Sequence, residues 1–108
     1  MMSKRLDQLL ELKKDNPTDS FLLFAIAKEY EKLEILDTAL EYYLLLLSKD
    51  VDYIGTYYHL AKLYERKELN LEALKIYEKG ILVAKKLEDQ HSLSELLNAK
   101  MNLELEIE

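Results

Sequence analysis

Residues 57–64, which read YYHLAKLY, and residues 73–77, which read ALKIY, decide the fold of this chain. The same pattern of residue types occurs once before, 34 positions earlier, within residues 23–43. Aligning residues 20–53 with residues 54–87 requires no gap. A fixed period of this length is typical of one supersecondary unit that is copied and stacked along the chain. We therefore predict two copies of a helical hairpin.

Eight positions carry the same residue in both copies, and their types indicate how the hairpin packs. They are Ala27/Ala61, Lys28/Lys62, Tyr30/Tyr64, Glu31/Glu65, Glu34/Glu68, Ala39/Ala73, Leu40/Leu74 and Tyr43/Tyr77. The small alanine side chains allow two helices to approach closely, and the tyrosines fill the space where the helices diverge. Burial of these aromatic rings is expected to supply much of the packing energy.

The repeated residues resemble the tetratricopeptide repeat, which places large apolar, small and aromatic residues at fixed offsets. In the first copy the matching residues are Leu23, Ile26, Ala27, Tyr30, Ala39 and Tyr43. In the second copy they are Tyr57, Leu60, Ala61, Tyr64, Ala73, Tyr77 and the small Gly80. The resemblance implies an all-α fold, a right-handed α-solenoid of antiparallel helix pairs with about six helices.

The resemblance also implies how the chain is divided. We expect a single domain over residues 1–108, made of a half unit (1–17), unit one (20–53), unit two (54–87) and a capping helix (92–105). The capping helix would cover the last open apolar face, as the terminal elements of repeat proteins do.

Short polar residues predict where several helices begin, because their side chains accept hydrogen bonds from free backbone amides. Asp19 or Ser20 would cap the second helix, Asp37 the third and Asn70 the fifth. Residues 92–95 read SLSE, a capping-box pattern that would open the sixth helix.

The sixth helix and the end of the chain carry several apolar residues. We expect Leu93, Leu96, Leu97 and Met101 to face inward. Residues 103–108 alternate leucine or isoleucine with glutamate, which is a strand pattern rather than a helical one. We therefore expect this end to fray or to pack on another surface.

Composition limits the function classes open to the chain. It has no cysteine, which excludes disulfides and thiolate chemistry. The net charge is −6, of which −5 lies in residues 88–108, and this disfavours a nucleic-acid backbone as partner. No apolar run is long enough to cross a membrane, and residues 1–14 do not read as a secretory signal. A cytoplasmic protein is the default expectation.

The resemblance implies a non-enzymatic interaction module in which the first helix of each unit lines a concave groove that binds a peptide or a partner helix. The groove candidates are Phe21, Phe24, Lys28 and Lys32 in unit one and Tyr58, Lys62 and Arg66 in unit two, accompanied by Glu31, Gly55 and Glu65. Aromatic residues beside two basic rows would suit an acidic peptide or a terminal carboxylate.

Two other interpretations of these surfaces remain open. Lys28 with Glu31, and Lys62 with Glu65, could be ordinary pairs on a solvated helix face, worth about 0.2–0.5 kcal/mol each. The apolar run at residues 44–47 could instead support a weak homodimer of a scaffold domain that has no peptide ligand.

Enzyme chemistry is not expected. His59 and His91 are the two histidines, and neither belongs to an HExxH pattern. Two glycines cannot form a Gly-rich phosphate loop. The sequence therefore predicts no metal site and no cofactor.

Overall fold

The structure is a computed structural model that describes residues 3–108. These residues form six α-helices and no strand, in the order α1 (Lys4–Asp15), α2 (Ser20–Lys32), α3 (Leu36–Lys49), α4 (Gly55–Arg66), α5 (Asn70–Lys86) and α6 (Gln90–Glu106). The all-α prediction is confirmed. Residues 1–2 of the predicted half unit lie outside the described residues.

The helices belong to two compact units, the first ending at Val51 and the second spanning Asp52–Glu108. In the first unit α2 packs against both α1 and α3. In the second unit α5 packs against α4 and α6, and α4 also touches α6. Each repeated hairpin, α2–α3 and α4–α5, therefore lies whole within one unit.

The repeat positions form the core of each unit. Ala27, Ala39 and Tyr43 are fully buried in the first unit, and Ala61 and Tyr77 are fully buried in the second. The remaining repeat positions are also buried, except for a half-buried tyrosine: Leu23, Ile26, Tyr30, Tyr57, Leu60 and Ala73 are buried, and Tyr64 is half-buried. Alanine and tyrosine thus occupy the packing positions that the repeat pattern predicts.

Three helices end in the same way, through a glutamate with left-handed backbone. Glu34, Glu68 and Glu88 have φ angles of 64°, 60° and 57°. After α2, the amide of Glu34 donates to the carbonyl of Glu31, and the amide of Ile35 donates to the carbonyl of Tyr30. The same pair of bonds recurs after α4 and after α5. This Schellman arrangement satisfies carbonyls that the helix end would otherwise leave free.

These turns explain why two predicted caps are wrong. The residues that precede α3 and α5 are Ile35 and Leu69, and neither makes a side-chain capping bond. Because each turn already fixes the chain, α3 and α5 begin directly after it. Asp37 and Asn70 therefore lie inside the first helical turn, where a carboxylate such as that of Asp37 still favours the helix dipole. Asp19 caps α2 as predicted, since its carboxylate accepts a bond from the Leu22 amide.

The start of α6 differs from the predicted capping box. Asp89 is the cap, and its carboxylate accepts hydrogen bonds from the amide and the hydroxyl of Ser92 at 3.0 and 2.8 Å. The bond from the Ser92 amide is the main reason why the pKa of Asp89 lies below its ordinary value. Because Asp89 follows the Schellman turn directly, α6 begins two residues before the predicted start at residue 92.

The buried face of α6 also differs from the prediction. The buried residues are Leu96, Ala99 and Leu103, whereas Leu97 and Met101 are about half exposed at 46% and 53%. The buried residues follow an i, i+3, i+7 stripe with a small residue at its centre, which permits close contact with α5. The alternating end does not form a strand, and the helix continues to Glu106 because Leu103 is buried.

One polar atom in the second unit is buried without a hydrogen bond. The side-chain oxygen of Thr56 has no partner among the described residues, and Thr56 is fully buried. The equivalent position in the first unit is Leu22, which is apolar. Burying a hydroxyl without a partner costs on the order of 1–3 kcal/mol.

Replacing Thr56 with valine is therefore expected to raise the free energy of unfolding by about 1 kcal/mol, because valine has a similar shape and no polar atom to desolvate. Urea denaturation measures the change. Thr18→Val at an exposed position is the matched control, and it is expected to stay within about 0.5 kcal/mol of the wild type. A loss of stability in Thr56→Val would contradict the assignment of an unsatisfied hydroxyl.

Candidate functional site

A surface cavity of about 370 Å³ lies in the first unit, mainly on α2. Its lining residues are Arg5, Phe21, Phe24, Ala25, Lys28, Glu29 and Lys32. The four main groove candidates of unit one are among them, whereas the accompanying Glu31 is not. On α2 they stand at i, i+3, i+7 and i+11, so they form one stripe along the helix. We call this cavity the unit-one pocket.

The aromatic half of the unit-one pocket contains one exposed phenyl ring and one ring that packs against a tyrosine. Phe21 is 62% exposed, so its phenyl ring offers apolar surface to a ligand. Phe24 is half-buried and makes an edge contact with Tyr43, with ring centroids 6.2 Å apart. The Lys28 ammonium lies 5.7 Å from the centre of the Phe24 ring, within the range of a cation–π contact.

A buried carboxylate forms one wall of the unit-one pocket. Glu29 is 6% exposed, and it accepts a hydrogen bond from the hydroxyl of Ser3 at 3.0 Å. The guanidinium of Arg5 lies 3.4 Å from the other carboxylate oxygen. Ser3 also caps α1 by accepting a bond from the Leu6 amide. Glu29 therefore links α2 to the start of α1 and neutralises the positive charge of Arg5.

The remaining charges of the unit-one pocket are positive and unpaired. Lys28 and Lys32 are exposed and form no ion pair within residues 3–108. The alternative prediction of a Lys28–Glu31 pair is therefore wrong. With Arg5 matched by Glu29, the pocket presents two free ammonium groups beside two phenyl rings. This arrangement suits an anionic ligand that also carries an apolar group.

The groove candidates of unit two lie on α4, and their lysine is paired with a carboxylate. The Lys62 ammonium lies 5.7 Å from the centre of the Tyr58 ring, the same distance as in the Lys28–Phe24 contact. Unlike Lys28, Lys62 is paired with a carboxylate, that of Glu65 at 3.8 Å. Arg66 is exposed at the end of α4. The aromatic–lysine contact is thus repeated, but the free positive charge is not.

The two repeated glutamates have a role that the sequence analysis missed. The hydroxyl of Tyr43 donates a hydrogen bond to Glu31 at 2.8 Å, and the hydroxyl of Tyr77 donates to Glu65 in the same way. Each of these hydrogen bonds links the two helices of one hairpin. The pKa of both tyrosines lies well above the ordinary value of 10.0. Burial is the main cause, and the hydrogen bond to the carboxylate is the second. The signal in the sequence was the identical spacing of glutamate and tyrosine in both copies.

A smaller cavity of about 180 Å³ lies between α1 and α3, lined by Lys13, Glu41, Tyr42 and Leu45. The Lys13 ammonium donates to the Tyr42 hydroxyl at 3.1 Å and lies 5.1 Å from the centre of its ring. Tyr42 in turn stacks on Tyr30 with ring centroids 5.6 Å apart. The lysine and the tyrosine of this cavity thus already contact each other, which leaves the unit-one pocket as the stronger candidate.

Residues 3–108 contain no group of three or more histidine, cysteine, aspartate or glutamate side chains placed to hold a metal ion. No helix in the same range combines the length and the apolar character needed to cross a membrane.

The chain is similar to several solved structures. A tetratricopeptide repeat domain protein from Salinibacter ruber is 43% identical, with a TM-score of 0.79, over 82% of this chain and 89% of that one. A protein from Bordetella parapertussis, BPP2914, shares the fold at 24% identity and a TM-score of 0.83, over 98% and 91% of the two chains.

A third structure, YrrB, is described as a TPR protein with an unusual peptide-binding site. It matches at 22% identity with a TM-score of 0.63, over 88% of this chain and 56% of that one, so it supports the fold alone. The scan of protein-family models and the search of curated proteins gave no match. The identity and coverage of the Salinibacter ruber match, together with the buried repeat residues, show that this chain belongs to the tetratricopeptide repeat family.

Proposed function

We propose that the chain is a non-enzymatic protein-interaction module whose unit-one pocket binds an acidic segment of a partner protein. Membership of the tetratricopeptide repeat family supports an interaction module in general. The observation that carries the proposal is the combination, in one cavity, of exposed aromatic surface with two unpaired lysines, Lys28 and Lys32.

The pocket suggests a specific arrangement for the ligand. An apolar ligand side chain would pack on Phe21 and Phe24, where an exposed ring leaves apolar surface in contact with water. Carboxylates of the ligand would reach Lys28 and Lys32, one and two helical turns further along α2. The pair between the exposed Arg5 and the buried Glu29 supports this arrangement because it matches the only acid that lines the pocket among the described residues.

The contrast with unit two supports the choice of unit one. Lys62 already faces the carboxylate of Glu65, so a ligand carboxylate would compete with an existing ion pair. Lys28 has no such competitor among the described residues. We therefore place the binding site on α2.

The proposal is tested with a short blocked peptide of alternating leucine and glutamate, titrated by calorimetry. The Lys28→Glu/Lys32→Glu variant is expected to bind it about tenfold more weakly, because reversing two exposed ion pairs removes about 1.4 kcal/mol. Lys62→Glu is expected to have a smaller effect. Binding should weaken with salt, since exposed charges are screened.

The matched control is Lys75→Glu/Lys79→Glu, which makes the same change of charge at exposed positions of α5. It is expected to bind the peptide as the wild type does. Equal affinities for the α2 variant, the α5 variant and the wild type would show that the unit-one pocket is not the binding site.

A further inference from the structure

The exposed face of α6 carries the kind of residue pattern that the unit-one pocket would bind. Leu97 and Met101 are 46% and 53% exposed, and Glu104 follows them on the same face. Glu108 follows in the sequence, two residues after the last helical residue. These positions are spaced i, i+4, i+7 and i+11, and the flanking Leu105 is 62% exposed. We call this set the α6 face.

The α6 face matches the unit-one stripe in order and in length. On α2 the two aromatic residues come first and the two lysines follow, spaced i, i+3, i+7 and i+11. In the α6 face two apolar residues come first and two glutamates follow, the second of them beyond the end of the helix. Both stripes cover the same number of residues, which corresponds to about 16 Å along α2. Laid parallel, the two faces place apolar groups against phenyl rings and carboxylates against ammonium groups.

The charges near both faces favour this contact. Residues 88–108 contain six acidic residues and a single base, Lys100. Lys100 pairs with Glu104 at 3.2 Å, and a carboxylate can accept further bonds while it does so. Glu106 and Glu108 form no ion pair within residues 3–108. Glu108 is the unpaired acid of the α6 face, and Glu104 keeps its pair with Lys100. Both carboxylates nevertheless complement the unpaired lysines of the unit-one pocket.

We propose that the α6 face of one copy docks on the unit-one pocket of a second copy. This inference rests on the proposed function of the pocket, and it names a partner: another molecule of the same chain. The two docked surfaces are different, so every pair leaves one pocket and one α6 face unused. A contact of this kind adds further copies head to tail and does not stop at a dimer unless the geometry closes a ring.

The test uses the full chain in analytical ultracentrifugation from micromolar to millimolar concentration. We expect the mean mass of the wild type to rise with concentration and the rise to diminish at high salt. Lys28→Glu/Lys32→Glu places acids opposite acids, and Glu104→Lys/Glu108→Lys places bases opposite bases. Each variant alone is expected to associate at least about tenfold more weakly than the wild type.

Mixing the two variants restores both complementary contacts, so association is expected to return in the mixture. This recovery cannot come from misfolding, because both chains must present intact faces. A wild type that stays monomeric at millimolar concentration would overturn the inference, and so would a mixture that behaves as its separate components. If the wild type is monomeric but still binds the leucine–glutamate peptide through Lys28 and Lys32, the proposed function stands and only self-docking fails.

Discussion

Replacing Gly80 with alanine is expected to destabilise the protein by about 2 kcal/mol, although alanine is the better helix former. A Cβ at position 80 would lie 2.6 Å from the Cβ of Tyr57 and 3.1 Å from a methyl carbon of Leu96. The Tyr57 Cβ is fixed by its own backbone, so α4 and α5 would have to separate. Overpacking of this kind costs about 1–3 kcal/mol, and we expect the upper end here, less about 1 kcal/mol gained in helix propensity.

Urea denaturation at neutral pH measures this change. Lys79→Gly at the neighbouring exposed position is the matched control, since it reports what a glycine costs in α5 where nothing lies close. We expect that control to lose about 1 kcal/mol. A Gly80→Ala variant as stable as the wild type, or more stable, would show that α4 and α5 do not approach as closely at this point as the structure places them.

Raising the pH above 10 is expected to unfold the protein through Tyr43 and Tyr77. Both pKa values are raised in the folded state, mainly by burial and then by the bonds to Glu31 and Glu65. Below pH 10 both states keep the protons, and stability is unaffected. Above pH 10 the unfolded chain loses them while the folded protein retains them, so stability falls by up to about 1.4 kcal/mol per pH unit for each tyrosine.

The Tyr43→Phe/Tyr77→Phe variant separates this effect from the titration of lysines. At neutral pH each substitution is expected to cost about 1.5–3 kcal/mol, because it removes a hydrogen bond to a charged group. Above pH 10 the variant should lose stability less steeply than the wild type. Urea midpoints measured across pH 8–11 test both expectations. Parallel curves for variant and wild type would show that the two hydroxyls are not protected from ionisation in the folded state.

The packing of this chain could be predicted from the sequence because the two copies of the repeat can be compared position by position. Ala27 and Ala61 occupy equivalent positions, and both are fully buried. A residue type that recurs at a fixed spacing identifies the positions where two helices touch. The ends of the helices could not be predicted as well. Local polar residues suggested caps at Asp37 and Asn70, whereas the preceding Schellman turns set the helix starts.

The sequence analysis named candidates largely where the site follows the repeat. Phe24 and Lys28, which recur as Tyr58 and Lys62, line the unit-one pocket. Glu29 has no counterpart, because the equivalent position is the buried Leu63. Its partners, Ser3 and Arg5, lie at the start of α1, so only the folded structure brings them to it. Which lysine is free and which is paired depends on side-chain geometry, which the alignment of the two copies does not contain.

The three left-handed glutamates leave room for protein engineering. A residue with a Cβ destabilises the folded state by about 1–2 kcal/mol relative to glycine when its backbone is left-handed. Part of this difference is lost because glycine has more conformational freedom in the unfolded chain. Glu68 and Glu88 are exposed and stand at turns of the same design. These turns are therefore less stable than glycine would make them, as is common in natural proteins. A thermostable scaffold derived from this chain could start with glycine at these turns and leave both the core and the unit-one pocket unchanged.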